Sequence, residues 1–134
     1  MGRGKTSGAF CAILLLSAAV ISIRSARAQI SCDQIGNHLI RINRTQGSNQ
    51  LVDCEAAHIS KNAKHKITWQ AAGNDTITIE FPNGSPFLNF SCQDQKRCTS
   101  DQIDPNAQGQ YKYKVTLKSG RNTYTEDPGV IIEQ

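Results

Sequence analysis

Residues 111–117 read Tyr111-Lys112-Tyr113-Lys114-Val115-Thr116-Leu117. Tyr111, Tyr113, Val115 and Leu117 fall on one side of an extended chain, and Lys112 and Lys114 on the other. Alternation with period two is the signature of a strand that buries one face and wets the other. Aromatic and β-branched residues suit that pleated surface. The pattern recurs upstream: Ile67, Trp69 and Ala71 alternate through 66–71, and Ile77, Ile79 and Phe81 through 76–81. Ile40 and Ile42 mark a short strand over 39–43, and 50–59 reads as a further extended stretch. Short extended segments at 123–125 and 130–132 complete the set. Turn residues separate them at 45–49, 60–64, 82–86, 119–122 and 127–129, with Gly73-Asn74-Asp75 a turn of hairpin type. No window beyond residue 28 carries a helical stripe. Seven or so short strands imply an all-β fold, an antiparallel β-sandwich or barrel, in one domain over 29–134.

The chain opens differently. Arg3 and Lys5 precede an apolar run over 9–23, and Ala26-Arg27-Ala28 places small residues at a cleavage position. This order of charge, apolar core and small residues is that of a secretory signal peptide over 1–28. The run falls short of the about 20 residues that span a bilayer, so cleavage is expected over a retained anchor. Cys32 stands too far beyond the apolar run to be a lipidation site. The expected product is periplasmic or extracellular, with no stable membrane insertion.

The leader also carries the charge excess. The chain has 15 basic and 11 acidic residues, and Arg3, Lys5, Arg24 and Arg27 belong to the leader, which leaves eleven of each sign. A balanced domain has no electrostatic footprint for nucleic acid or for an anionic membrane. The cluster Lys61-Asn62-Ala63-Lys64-His65-Lys66 reads as a solvated turn.

Cys32, Cys54, Cys92 and Cys98 remain beyond the leader. An even number in an exported chain implies two disulfides, with three pairings open. Cys92 with Cys98 and Cys32 with Cys54 is the favoured pairing, because the first pair encloses a short polar loop with little apolar content. A zinc site from all four fits badly, since no C-x2-C or C-x4-C knuckle is present.

His38, His58 and His65 are the only imidazoles, and their spacing places no two on one strand face. They are read as scattered surface residues. The alternative is a copper- or zinc-handling site that joins them to Asp53 or Glu55. Trp69 shares its face with Ile67 and Ala71, which indicates core packing over a sugar-stacking platform. Tyr124 is the more exposed aromatic. Ser91 and Ser100 have no histidine at motif spacing, and Glu126-Asp127 beside a turn proline is expected to face water. The tripeptides at Asn43, Asn74, Asn83 and Asn89 match the glycosylation pattern and mark surface turns. Residues 87–108 form the longest stretch without periodicity, irregular and polar. Such a loop is the candidate binding surface, with Phe87, Asn89, Lys96 and Arg97 as its candidate contacts.

Several segments carry a resemblance. Val52-Asp53-Cys54-Glu55, Ile59-Ser60-Lys61-Asn62 and Lys66-Ile67-Thr68-Trp69 resemble the first half of small bacterial exported cupredoxin-like domains. Gly109-Gln110-Tyr111-Lys112-Tyr113-Lys114-Val115 and Asp127-Pro128-Gly129-Val130-Ile131-Ile132 resemble their last two strands. The resemblance covers residues 38–134 and implies a Greek-key sandwich. In copper-binding members a ligand Cys, a His and an axial Met stand where this chain has Val115, Lys118 and Arg121. The remaining His falls near Asn74 and Asp75. No His follows His65, and Met1 is the only Met. The resemblance therefore implies a member without cofactor. It acts as a non-catalytic binding or structural module whose partner is another exported protein or an envelope component.

Overall fold

The computed structural model of the protein describes residues 31–134, so the expected signal peptide over 1–28 lies outside the described residues. Ten strands follow one another: β1 (His38–Ile42), β2 (Ala56–Ser60), β3 (Ile67–Ala71), β4 (Thr76–Glu80), β5 (Phe90–Gln93), β6 (Arg97–Ser100), β7 (Gly109–Lys112), β8 (Lys114–Ser119), β9 (Asn122–Glu126) and β10 (Gly129–Glu133). The fold is all-β, with no helix among the described residues.

One sheet has the order β1-β3-β6-β5. Two three-stranded sheets, β2-β10-β7 and β4-β8-β9, are halves of one continuous layer. The pairing of the last two long segments keeps a single register, from Ser119 opposite Asn122 to Gly109 opposite Ile132. Along it Tyr113 lies opposite Pro128, and its N–H donates to the Pro128 carbonyl at 3.0 Å. Pro128 has no N–H to return, and the ladder is interrupted over Tyr113-Lys114 opposite Asp127-Pro128. The expected strand over 111–117 is therefore one extended run with its predicted faces: Tyr113, Val115 and Leu117 are buried, Lys112 and Lys114 exposed. A two-residue loop, Gly120-Arg121, turns the hairpin, with Gly120 at φ 60, the left-handed region that such loops demand.

The architecture differs from the sequence reading in strand direction and in two of its connections. Two ladders are parallel, β1 with β3 and β2 with β10, where antiparallel pairing throughout was expected. Alternation fixes which face of a strand is buried and says nothing about the direction of its neighbour. The Gly73 turn is not a hairpin, because β3 and β4 belong to different sheets and the turn carries the chain between them. The stretch 50–59 is likewise divided. Val52 bridges Ile42 beside β1, while Ala56–Ser60 joins β10. The chain crosses between sheets at Cys54-Glu55, and Cys54 is tied there to Cys32.

The buried faces of the two layers meet around Trp69, which is fully buried. Its ring stands edge-on to Tyr113 at 5.6 Å, Phe87 at 6.2 Å, Phe90 at 6.4 Å and Phe81 at 6.5 Å. Offset and edge-on contacts of this kind are the favoured aromatic geometry. Ile40, Ile42, Ile59, Ile67, Val115, Leu117 and Val130 complete the centre. The arrangement of packed sheets is consistent with a β-sandwich.

Candidate functional site

The resemblance directs attention first to the end of the molecule where the Gly120-Arg121 loop lies. Val115 is fully buried, facing neither loop nor solvent, opposite Ile79 on one side and Glu126 on the other. Lys118 and Arg121 are exposed. Among the described residues all four cysteines are in disulfides and the three histidines are bonded elsewhere, whereas a type 1 copper centre requires a thiolate and imidazoles. These residues do not fit the metal.

The three histidines are engaged elsewhere. His38 opens β1, is buried, and places Nε2 2.9 Å from the His58 carbonyl. His58, in the middle of β2, sets Nδ1 2.8 Å from Glu133 Oε1. His65, in the turn before β3, accepts the Ser60 N–H at Nδ1 at 3.1 Å. Among the described residues no three His, Cys, Asp or Glu side chains are placed to hold a metal ion.

Residues 87–108 are not one irregular loop. Their centre is the β5–β6 hairpin, in which Cys92 and Cys98 stand directly opposite and are bonded. Asp94 and Gln95 at its tip both have left-handed φ, 50 and 55 degrees. The tip is held by the Gln95 carbonyl on the Ile77 N–H and the Lys96 carbonyl on the Ala71 N–H. Phe87 is only 4% exposed and belongs to the aromatic core, so it offers no surface to a ligand. Asn89 is exposed beside Asp101, whose N–H donates to the Asn89 carbonyl at 2.9 Å. Lys96 and Arg97 are exposed at the opposite end of the hairpin. The four expected contacts therefore do not converge on one site.

A cleft of about 390 Å3 opens at the other end, between the β2–β3 turn and residues 101–105. Lys61, Asn62, Lys64, His65, Lys66 and Asp101 line it. Lys61 Nζ donates across the cleft to the carbonyls of Pro105 at 3.3 Å and Ala107 at 3.2 Å, joining the two walls. The sequence signal was the basic cluster at 61–66, but nothing in the pattern of the chain says which segment it meets.

Among the described residues, two buried side-chain atoms in the core have no hydrogen-bond partner, the neighbouring Trp69 Nε1 and Tyr113 Oη. Burial pushes the Tyr113 hydroxyl pKa far above the ordinary range; the neighbouring Trp69 N–H opposes the rise, and Glu126 and Asp53 add to it. With Trp69 enclosed, a sugar platform there is excluded, while half-buried Tyr124 carries the Arg44 guanidinium 4.1 Å from its ring centre. No helix among the described residues is long and apolar enough to cross a membrane. No family model matches the chain, and no curated protein matches it.

Proposed function

We propose that the chain is an exported, non-catalytic binding module on a Greek-key, cupredoxin-like β-sandwich whose metal-ligand positions carry Val115, Lys118 and Arg121. The observation that supports it best is the long hairpin. It pairs the segments 109–119 and 122–132 in one register and seals Val115 in the core, which supports a member whose ligand position serves packing. Export is supported by the two disulfides, since such bonds persist in oxidising compartments. Among the described residues, Ser100 gives a hydrolytic reading no support. Ser100 is buried, its Oγ accepting the Ile67 N–H at 2.8 Å, and each histidine is occupied as described above. The partner is a component of the same exported compartment.

Calorimetric titration with Cu2+ and with Zn2+ tests the reading, together with a panel of ester, phosphate and glycoside substrates. Neither metal is expected to bind stoichiometrically, and no substrate should turn over above blank. Tight one-to-one binding that disappears in the His38→Ala, His58→Ala, His65→Ala triple variant would replace this proposal with metal handling. Turnover of any substrate would replace it with an enzyme.

A further inference from the structure

We propose that the cleft between the β2–β3 turn and residues 101–105 binds a phosphate group, carried as a small phosphate ester or as the free ion. This names the ligand class of the binding module and rests on that reading.

The first ground is charge. Three lysines line the cleft against one carboxylate, Asp101. Among the described residues none of Lys61, Lys64 and Lys66 lies within ion-pair distance of a carboxylate. Lys61 is held only by neutral carbonyls, which fix the ammonium in place and leave its charge uncompensated. The domain as a whole carries equal numbers of basic and acidic residues, so this local excess is not a reflection of its overall charge.

The second ground is the kind of donor. No arginine lines the cleft, so the planar, two-pronged fit that favours a carboxylate is missing. Ammonium groups are compact point charges with several donors each, suited to the spread oxygens of a tetrahedral dianion. The Asn62 amide adds neutral donors. Because His65 Nδ1 accepts the Ser60 N–H, the neutral ring keeps its proton on Nε2 and has that donor to give. Ile103, buried at the back, supplies an apolar surface, and the volume is that of a small-molecule pocket.

The third ground is backbone conformation. Lys64 adopts φ 54, a region where side chains other than Gly, Asn and Asp are strained. The chain keeps a lysine at the mouth of the cleft where glycine would relax the turn. The turn, closed by the Lys64 N–H on the Lys61 carbonyl at 3.3 Å, sets that conformation and brings Lys64 into the lining of the cleft.

The test is an amide-resolved NMR titration of the domain at constant ionic strength, with inorganic phosphate, glucose 6-phosphate and glucose as probes. Saturable shifts confined to 61–66 and 101–105 are expected with a phosphate-bearing probe and not with glucose. If glucose 6-phosphate binds about tenfold tighter than inorganic phosphate, the ligand is an ester; equal affinities identify the free ion. The Lys64→Glu/Lys66→Glu variant, altered only at exposed side chains, should lose about tenfold or more in affinity. Lys64→Gly should hold or raise the melting temperature while weakening binding, which a purely structural lysine would not do. Shifts absent with both phosphates, spread over the lysines of 112–118, or unchanged in the double variant would overturn the proposal. Such a failure leaves the non-catalytic module intact. Inorganic phosphate released from glucose 6-phosphate, read by phosphorus NMR, removes the module reading instead.

Discussion

Glu126 stands beside a turn proline in a polar run, and the sequence gives it to solvent; its carboxylate turns inward instead. Oε2 accepts the N–H groups of Leu51 at 2.6 Å and Val52 at 3.0 Å, both residues being buried. Leu51 and Val52 still lie beside β1, with Val52 bridging Ile42, but their own N–H groups find no strand partner and this one side chain serves both. Glu126→Ala should cost about 3 kcal/mol, because two buried N–H groups lose a charged acceptor. Glu126→Gln, which keeps an acceptor, should cost less; urea unfolding of the two variants measures the difference. Tyr113 is the converse case, a buried hydroxyl without a partner. Tyr113→Phe should be neutral or stabilising by up to about 1 kcal/mol, since it removes an unsatisfied group and keeps the ring. The pH sign follows from burial. The folded pKa of Tyr113 lies above its unfolded value, so the unfolded chain gives up the proton first. The hydroxyl's contribution is fully present below the unfolded value of about 10 and is lost as pH rises from there towards the folded pKa. Melting temperatures followed through that alkaline window should fall more steeply for the native chain than for Tyr113→Phe.

Among the elements, the disulfides divide the work unequally. Cys92–Cys98 spans a sequence separation of 6 within one hairpin, and Cys32–Cys54 spans 22 and fixes the point where the chain changes sheets. In the chain-entropy account the first contributes about 2 kcal/mol and the second about 3 kcal/mol. Replacing each pair by serine should reproduce that order in denaturant midpoints, with the loss of Cys32–Cys54 the larger. The elements also show what a sequence can and cannot reveal. β3, β4 and β8 were legible because one face of each packs on the aromatic core and the other meets water. The β5–β6 hairpin was not legible. β5 is the edge of its sheet, three of its four residues are exposed, and its place comes from the opposed cysteines and from the tip bonded to Ala71 and Ile77. Alternation could not disclose the two parallel ladders either, and the Gly73 turn carries residues that serve a sheet crossing as well as a hairpin.

At the scale of the molecule, the two ends of the layered fold have different chemistry. At the end with the Gly120-Arg121 loop, Val115 is buried in the core and Lys118 and Arg121 face solvent. The other end gathers the basic cleft, which was unreadable because its walls, 61–66 and 101–105, lie far apart in the chain. Lys61 staples those walls through two carbonyls. Lys61→Met should therefore destabilise by about 1 kcal/mol, seen as a lower melting temperature, and should speed hydrogen exchange at the amides of Asn106 and Ala107. The central claim, part of the proposed function, is that this sheet fold works without a metal. It is tested most directly by measuring the copper and zinc content of the protein isolated from a culture supplied with both. The account predicts no stoichiometric metal and no visible absorption band. One tightly held copper or zinc ion per chain would contradict it.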